Sequence, residues 1–395
     1  MDFFTKFYDN MESSIINHYN QMEPAQTINE CYYLKEINKL KDNIIELQKT
    51  LLEKNQIIEK DKEIIRDLQN KLKLQEQSKS LTTINPITPN LNFDIHKKEV
   101  IFKENCPGNV YSIYILHDGR LVSGDSSGNI IIYNSKDFKS EITIKESSYI
   151  MYLTQLNNGT LVVLLSDGSI KIYELLENYK YLCLQTIKDH TARVHKLRVL
   201  DNDDKRFMTC SDDYTIKFYF KDKNYYIYDY TCKDEIYIFN ILRTREGEIA
   251  YLGYNSKGSS FIKFYDLKSR KIISSLDTKK QYNGLTDNMY KLNDKYLLVG
   301  ATNSILIFDV NQHKQIREIE SKNSNYITCF LKLDEKCLLS VDCLGNIKQW
   351  IIDEDNLILE KEKNKAHDGQ IRMIRKDKDG LIITCSDDKR IKIWN

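Results

Sequence analysis

The feature that most constrains this chain is one short pattern that recurs seven times between residues 97 and 395. Each copy is a polar turn that runs into an alternating strand ending on an aromatic residue, and the aromatics recur every 40 to 46 residues. A fixed period in this range indicates a repeat built from one small sheet per unit. The sequence therefore predicts a mainly β fold, a seven-bladed β-propeller over residues 97–395. The closing aromatics are Tyr133, Tyr173, Tyr219, Tyr265, Phe308, Trp350 and Trp394.

These units resemble WD repeats, a family in which each unit is a four-stranded blade. In that family a histidine before the first strand, a serine or threonine on the second, an aspartate in the next turn and the closing aromatic form one buried hydrogen-bond network. The resemblance implies this network in repeat seven and, with tyrosine in place of tryptophan, in repeat three. We interpret its residues as structural. They are His190, Thr209, Asp213, Tyr219, His367, Thr384, Asp388 and Trp394.

The other five repeats depart from the family pattern. Ser127, Thr302 and Leu344 stand where repeats one, five and six would have the turn aspartate. We expect packing and backbone hydrogen bonds to hold these turns.

The two ends of the propeller are predicted to interlock. Repeat seven has no residues for an outer strand, because the sequence ends at Asn395. Residues 99–103 (EVIFK) have the pattern of a strand and precede the first repeat. Pairing this strand with the last blade would remove an open sheet edge, so we expect it to close the ring.

A heptad seam runs through residues 33–75 of the N-terminal third. Six apolar residues in succession occupy the a positions and leucine recurs at d, which favours a parallel two-stranded coiled coil. We predict an α-helical coiled coil over residues 27–76 that makes the chain a homodimer. A heteromeric coil and a helix folded back on its own propeller are the alternatives. The seam residues are Ile37, Leu40, Ile44, Leu47, Leu51, Ile58, Ile65, Leu68 and Leu72.

Two further segments flank this predicted coil. Residues 1–24 place apolar side chains on one helical face, and we interpret them either as a short docking helix or as a flexible N-terminus. Residues 77–96 hold two of the four prolines and are interpreted as a linker. Within it, Thr88 precedes a proline and is a candidate phosphorylation site.

The charge balance limits the classes of partner. Lysine and arginine number 58 against 57 acidic residues, which gives no broad attraction for nucleic acid or an anionic membrane. No segment has the apolar length of a membrane span and no signal peptide is visible, so we expect a cytoplasmic protein, with the nucleus as the alternative. The nine cysteines include no Cys-x-x-Cys pair, and we expect neither a metal nor a cofactor.

The sequence contains no recognisable catalytic motif, neither a glycine-rich phosphate loop nor a Gly-x-Ser-x-Gly elbow. We therefore predict a non-catalytic scaffold that binds proteins or peptides on the propeller face. In WD repeats the residue that leads into each first strand often borders the central binding surface, and we call these the lead residues. The sequence places them at Asn109, Tyr149, Arg193, Glu235, Leu285, Tyr326 and Gln370.

Two other functions stay open. The propeller could hold a degron as the substrate receptor of a ubiquitin ligase; that ligase would have to be recruited, because no RING-type cysteine pattern is present. The basic first strands at 193–200 and 371–378 suggest RNA binding or ribonucleoprotein assembly, against which the neutral overall charge argues.

Overall fold

The computed structural model describes residues 94–98, 100–176, 180–201, 203–280, 288–321 and 325–395. All of them belong to the second of the two units into which the chain divides, Pro89–Asn395. The predicted helix in residues 1–24, the predicted coil with its seam residues, Thr88 and the lead residue Leu285 lie outside the described residues.

The described residues form seven four-stranded antiparallel sheets, each of which is one blade. Strand β1, Val100–Asn105, precedes the first blade along the chain. Blade 1 consists of β2 (Val110–Ile115), β3 (Leu121–Asp125), β4 (Asn129–Tyr133) and β5 (Ser140–Lys145). Blade 2 consists of β6 (Ile150–Gln155), β7 (Leu161–Leu165), β8 (Ile170–Leu175) and β9 (Tyr181–Ile187). Blade 3 consists of β10 (Val194–Val199), β11 (Arg206–Ser211), β12 (Thr215–Asp222) and β13 (Tyr225–Lys233).

The remaining blades repeat this order. Blade 4 consists of β14 (Tyr237–Arg245), β15 (Glu248–Tyr254), β16 (Ser260–Asp266) and β17 (Lys271–Asp277). Blade 5 consists of β18 (Met289–Lys291), β19 (Tyr296–Ala301), β20 (Ser304–Asp309) and β21 (Lys314–Glu320). Blade 6 consists of β22 (Ile327–Lys332), β23 (Cys337–Asp342), β24 (Ile347–Asp353) and β25 (Asn356–Lys363). Blade 7 consists of β26 (Ile371–Lys376), β27 (Ile382–Ser386), β28 (Arg390–Trp394) and β1.

The blades stand in a closed ring. The first strand of each blade contacts the first strand of the next, and β26 contacts β2. The first strands are therefore innermost, and the fourth strands, such as β21, carry mostly exposed residues at the rim. The predicted seven-bladed propeller is confirmed.

Alternation along the inner strands builds the core, because successive side chains point to opposite faces of a sheet. On β4, Tyr133 packs in a cluster with Ile393 of blade 7, while its neighbour Ile132 packs in another cluster with Ile150 of blade 2. Each blade is thus buried on both faces by its neighbours. This explains why its central strands are almost continuously apolar.

The fourth strand of blade 7 comes from the other end of the propeller sequence. Strand β1 pairs with β28 from Val100 opposite Trp394 to Asn105 opposite Arg390. The sequence placed this strand at residues 99–103. One sheet thereby joins the first and last parts of the ring, and no extra edge is left at that point.

Residues 94–98 lie against blade 6, although the sequence assigned residues up to 96 to the linker. Ile95 is fully buried in a cluster that includes Trp394, and its backbone N–H donates to the side-chain oxygen of Gln349 at 3.0 Å. The Asp94 carboxylate pairs with Lys361 at 2.8 Å. The packed part of the propeller therefore begins before residue 97.

Candidate partner-binding face

In six of the seven blades, the first strand has a register shift next to its first buried residue. In blade 3 the shift lies between Val194 and Lys196, so that His195 bulges out of the pairing. A bulge re-aims the side chain that it carries. Because the first strands are innermost, we assign the bulged residues to the mouth of the central channel. They are Tyr111, Met151, His195, Phe239, Thr328 and Arg372.

The lead residues of five blades occupy one equivalent backbone position. The carbonyl oxygen of each accepts a hydrogen bond from the N–H of the residue that follows the second strand, with N to O distances of 2.9 to 3.1 Å. The structure therefore brings these predicted residues to the same face of the ring. They are Asn109, Tyr149, Arg193, Tyr326 and Gln370.

Blade 4 differs from the prediction. Ile238 pairs with Gly253 in the way that Val110 pairs with Asp125 in blade 1. The lead residue of blade 4 is therefore Tyr237, and the exposed Glu235 lies two residues earlier. The prediction of Glu235 was wrong because Ile236, which precedes the strand, is also buried. It continues the apolar alternation one step before the strand begins.

Tyr237 belongs to an aromatic cluster between blades 3 and 4. Its ring centroid lies 4.5 Å from that of Tyr214 and 5.2 Å from that of Tyr254, which in turn lies 5.9 Å from Phe239. Tyr214 has a φ of 66°, in the left-handed region that blade 1 fills with Gly128. A bulky residue is uncommon in this conformation, and such residues concentrate at functional sites. The sequence signal was a tyrosine at the glycine position of the turn, and it was overlooked.

The carboxylates at the channel mouth already have partners. The guanidinium of Arg372 lies 5.0 Å from the ring centroid of Tyr111 and donates to Asp387 at 2.8 and 2.5 Å. The Nε2 atom of His195 lies 2.7 Å from an Asp212 oxygen. These contacts fix two acidic side chains within their own blades.

The lead residues differ in accessibility. Tyr149 is 51 % exposed, and the other four are half-buried. Leu344, which is 50 % exposed, follows Cys343, whose N–H donates to the carbonyl of Tyr326. Sequence reasoning treated Leu344 only as a degenerate turn residue, but it adds an exposed apolar group to this face.

A continuous hydrogen-bond chain ties the strands of blade 7. The Trp394 indole N–H donates to Thr384 Oγ1 at 2.9 Å, Thr384 lies 2.8 Å from His367 Nε2, and His367 Nδ1 lies 2.9 Å from Asp388. A carboxylate only accepts, so Nδ1 carries the proton and donates to Asp388. In neutral His367, Nε2 then accepts the Thr384 hydroxyl proton, and every member of the chain is satisfied.

Blade 3 repeats most of this chain. His190 lies 2.7 Å from Asp213 and 2.8 Å from Thr209. The closing aromatic is Tyr219, which is buried and stacks on Phe207 with ring centroids 4.9 Å apart. The structure thus brings all eight predicted network residues to two equivalent places, where they join strands. The Tyr219 hydroxyl is the exception to the implied network, because it has no hydrogen-bond partner within the described residues.

Burial and hydrogen bonding set the protonation of these networks. Burial raises the pKa of Asp388, but the hydrogen bond and the charge of His367 outweigh it and leave the pKa at about 2. The pKa of Asp213 is lowered to about 2 by the same balance with His190. Burial lowers the pKa of His367 below 6.5, although the bond to Asp388 opposes it. Near neutral pH the network of blade 7 therefore contains a neutral His367 imidazole and an ionised Asp388 carboxylate.

Carboxylates take the place of the histidine in blades 2 and 4. In blade 4, Asp234 accepts from the Tyr251 hydroxyl at 2.5 Å and from Lys263 at 2.6 Å. In blade 2, Glu146 pairs with Lys171 at 3.0 Å. Each carboxylate stands four residues before the first buried residue of its first strand, as the histidine does in blades 3 and 7. Counting back from the strand, instead of searching for histidine, would have found them.

The expectation about the turns of blades 1 and 6, which lack the family's turn aspartate, was wrong. Packing and backbone bonds alone were expected to hold them, but Asp125 accepts from the N–H of Ser127 at 2.9 Å and Asp342 accepts from that of Leu344 at 2.9 Å. Both carboxylates also bind the asparagine four residues on. The capping aspartate sits at the end of the second strand instead of in the turn. Burial raises the pKa of Asp342 to about 6 despite these donors.

Comparison with protein families matches these observations. The family model of the WD domain, G-beta repeat, matches residues 181–219 and 360–395. The two segments end at Tyr219 and at Asn395, next to β28, in the two blades that have the histidine networks. The chain contains WD repeats. Together with the seven blades, this match makes the fold a WD-repeat propeller, as the resemblance implied.

Among solved structures, a chain of the crystal structure of a mitotic checkpoint complex is similar to this WD-repeat protein. The TM-score is 0.62 at 17 % sequence identity, and the alignment covers 80 % of this chain and 95 % of that one. At this identity the likeness concerns the fold. No curated protein sequence matches the chain.

Three basic side chains of the first strands have partners within the propeller. Arg198 donates to the Tyr152 hydroxyl at 2.8 Å, and Lys196 lies 4.3 Å from the same ring. Arg375 donates to the carbonyl of Ile374 at 2.9 Å. Within the described part of the chain, no helix is long and apolar enough to cross a membrane, and no three His, Cys, Asp or Glu residues converge as metal ligands would.

Proposed function

We propose that this WD-repeat protein is a non-catalytic scaffold that binds partner proteins or peptides on the face formed by its lead residues. The observation that carries the proposal is the equivalent placement of five lead residues around the ring, with Tyr149 half exposed among them. Tyrosine and arginine supply large contact areas and directional hydrogen bonds at interfaces. The tyrosine cluster around Tyr237 and the exposed Leu344 extend the same face.

A capture experiment tests this proposal. The full chain and its Arg193→Glu/Tyr326→Ala variant are used to capture proteins from cell extract, and the captured proteins are identified by mass spectrometry. We expect the double variant to lose most partners that do not depend on residues 27–76, with a melting temperature within a few degrees of the parent. The matched control is Arg206→Glu/Tyr225→Ala, which makes the same changes away from the face, where Tyr225 is 57 % exposed.

Loss of partners in Arg193→Glu/Tyr326→Ala but not in the control supports binding on the face of the lead residues. An unchanged partner list in the first variant, with losses in the control, would move the binding site to the rim of the propeller.

We further propose that the chain is a parallel homodimer through the seam at residues 33–75 and acts in the cytoplasm. Joining two propellers makes two weak contacts cooperative through effective concentration, provided that the partner carries two copies of its epitope. The support is the unbroken series of apolar a positions from Ile37 to Leu72.

Substitution of the seam tests the dimer. Ile44→Asp with Leu51→Asp would bury two charges in the seam, and we expect light scattering to show a monomer with an unchanged melting temperature of the propeller. The control is Asn38→Asp with Gln56→Asp, which adds the same two negative charges at b and f positions, off the seam. A monomeric parent at micromolar concentration would contradict the homodimer and leave a heteromeric coil.

A further inference from the structure

Arg193 stands apart from the other arginines of the propeller. Its guanidinium makes no hydrogen bond, ion pair or ring contact within the described residues, and its Nε atom is buried without an acceptor. The other described arginines all have such contacts; Arg372 and Arg390, on the same face, bind Asp387 and Asp368. A half-buried cation that lacks a partner costs folding free energy. Its presence at a lead position therefore suggests that its partner belongs to a ligand.

Aromatic side chains of three other blades stand on the same face of the ring as Arg193. Tyr149 is the lead residue of blade 2, Tyr111 is bulged at the channel mouth in blade 1, and Tyr254 faces the lead position of blade 4. Burial raises the pKa values of Tyr111 and Tyr254, and the positive charge of Arg193 opposes this rise in both, after the larger opposing effect of Arg372 at Tyr111. Neither hydroxyl makes a hydrogen bond within the described residues.

Two carboxylates of the described residues act on these rings and already have cationic or imidazole partners. Asp212 is held by His195 at 2.7 Å, and Asp387 is held by Arg372 at 2.5 Å. One guanidinium and two phenol groups remain, all of which are donors. This set matches an oxyanion, because charged oxygens accept several hydrogen bonds and guanidinium binds them in a bidentate manner.

We propose that Arg193, with the hydroxyls of Tyr111 and Tyr254, binds an oxyanion, a carboxylate or a phosphate group, carried by a peptide segment of the partner. This site lies within the face proposed above and rests on that function. The oxyanion site specifies the chemistry of the ligand, which would be an acidic or phosphorylated residue bound at the channel mouth between blades 1 and 4.

The test uses the full chain and four pools of randomised peptides that share a fixed central residue. The centre is glutamate, phosphoserine, glutamine or serine, and binding is measured by fluorescence polarisation. We expect one or both anionic pools to bind about tenfold or more tightly than the neutral pools, since a hydrogen-bonded charge contributes at least that factor. Arg193→Gln should abolish the preference, whereas the control Arg390→Gln on the same face should keep it.

Thermal melting separates this role from a structural one. Because the Arg193 side chain makes no hydrogen bond or ion pair within the described residues, Arg193→Gln should leave the melting temperature unchanged or raise it. A stronger phosphoserine pool would identify phosphate as the ligand, and equal anionic pools would identify any carboxylate or phosphate. Equal binding of all four pools, a preference that survives Arg193→Gln, or no binding of any pool would overturn the oxyanion site. If all four pools bind the parent chain equally and the Arg193→Glu/Tyr326→Ala variant binds none of them, the oxyanion site is wrong but the proposed binding face stands.

Discussion

Blades 4 and 7 join the same strands at the same place with different chemistry. Blade 7 uses a neutral imidazole between Thr384 and Asp388, whereas blade 4 uses an ion pair between Asp234 and Lys263. A hydrogen bond contributes modestly even when it joins a neutral imidazole to a carboxylate, but a buried ion pair becomes costly when one partner is lost. The position, four residues before the first buried residue of the first strand, therefore matters more to the fold than the residue type.

The largest effect is expected when the ion pair of blade 4 is broken. Asp234→Ala would leave Lys263 buried without its partner and remove the acceptor of the Tyr251 hydroxyl, at a cost of about 3 to 5 kcal/mol in the free energy of unfolding. Urea denaturation measures this loss. The double variant Asp234→Leu/Lys263→Met removes both charges and should recover most of the stability. Equal midpoints for the single and double variants would show that the charges of blade 4 are not coupled.

A smaller loss is expected in blade 7. His367→Ala would deprive Thr384 and Asp388 of a partner, at a cost of about 1 to 3 kcal/mol, again read from urea denaturation. Because we interpret the network as structural, the variant should capture the same partners as the parent chain. An unchanged stability together with a lost activity would contradict this interpretation and assign His367 a chemical role.

The smallest effect is a change of stability with pH that belongs to blade 7. The folded pKa of His367 lies below the ordinary 6.5, and that of Asp388 lies at about 2 instead of 3.8. The unfolded chain therefore takes up these protons first, and the stability from the network is lost as the pH falls, from about 6.5 for His367 and below about 3.8 for Asp388. The urea midpoints of the parent and His367→Ala should converge on acidification. A constant difference between pH 7 and pH 3 would exclude this linkage.

The number of blades and their one-sheet-per-repeat construction could be predicted from the sequence. A period of 40 to 46 residues with a closing aromatic requires one sheet per unit, and seven units make seven blades. The resemblance to WD repeats also implied the histidine networks, because it assigns each of their residues a fixed place in the repeat. These features depend on residue types at fixed spacings within each repeat, and such spacings can be read directly from the sequence.

The tertiary structure alone decided which residues meet across blades. The register of β14, not the local alternation, makes Tyr237 the lead residue instead of Glu235. The contacts of Asp234 with Tyr251 and Lys263 form only once the strands of blade 4 lie side by side. Arg372 binds Asp387, whereas the side chain of Arg193 has no carboxylate partner among the described residues. Such distances depend on how adjacent sheets pack, because side chains far apart in sequence meet only after the ring has closed.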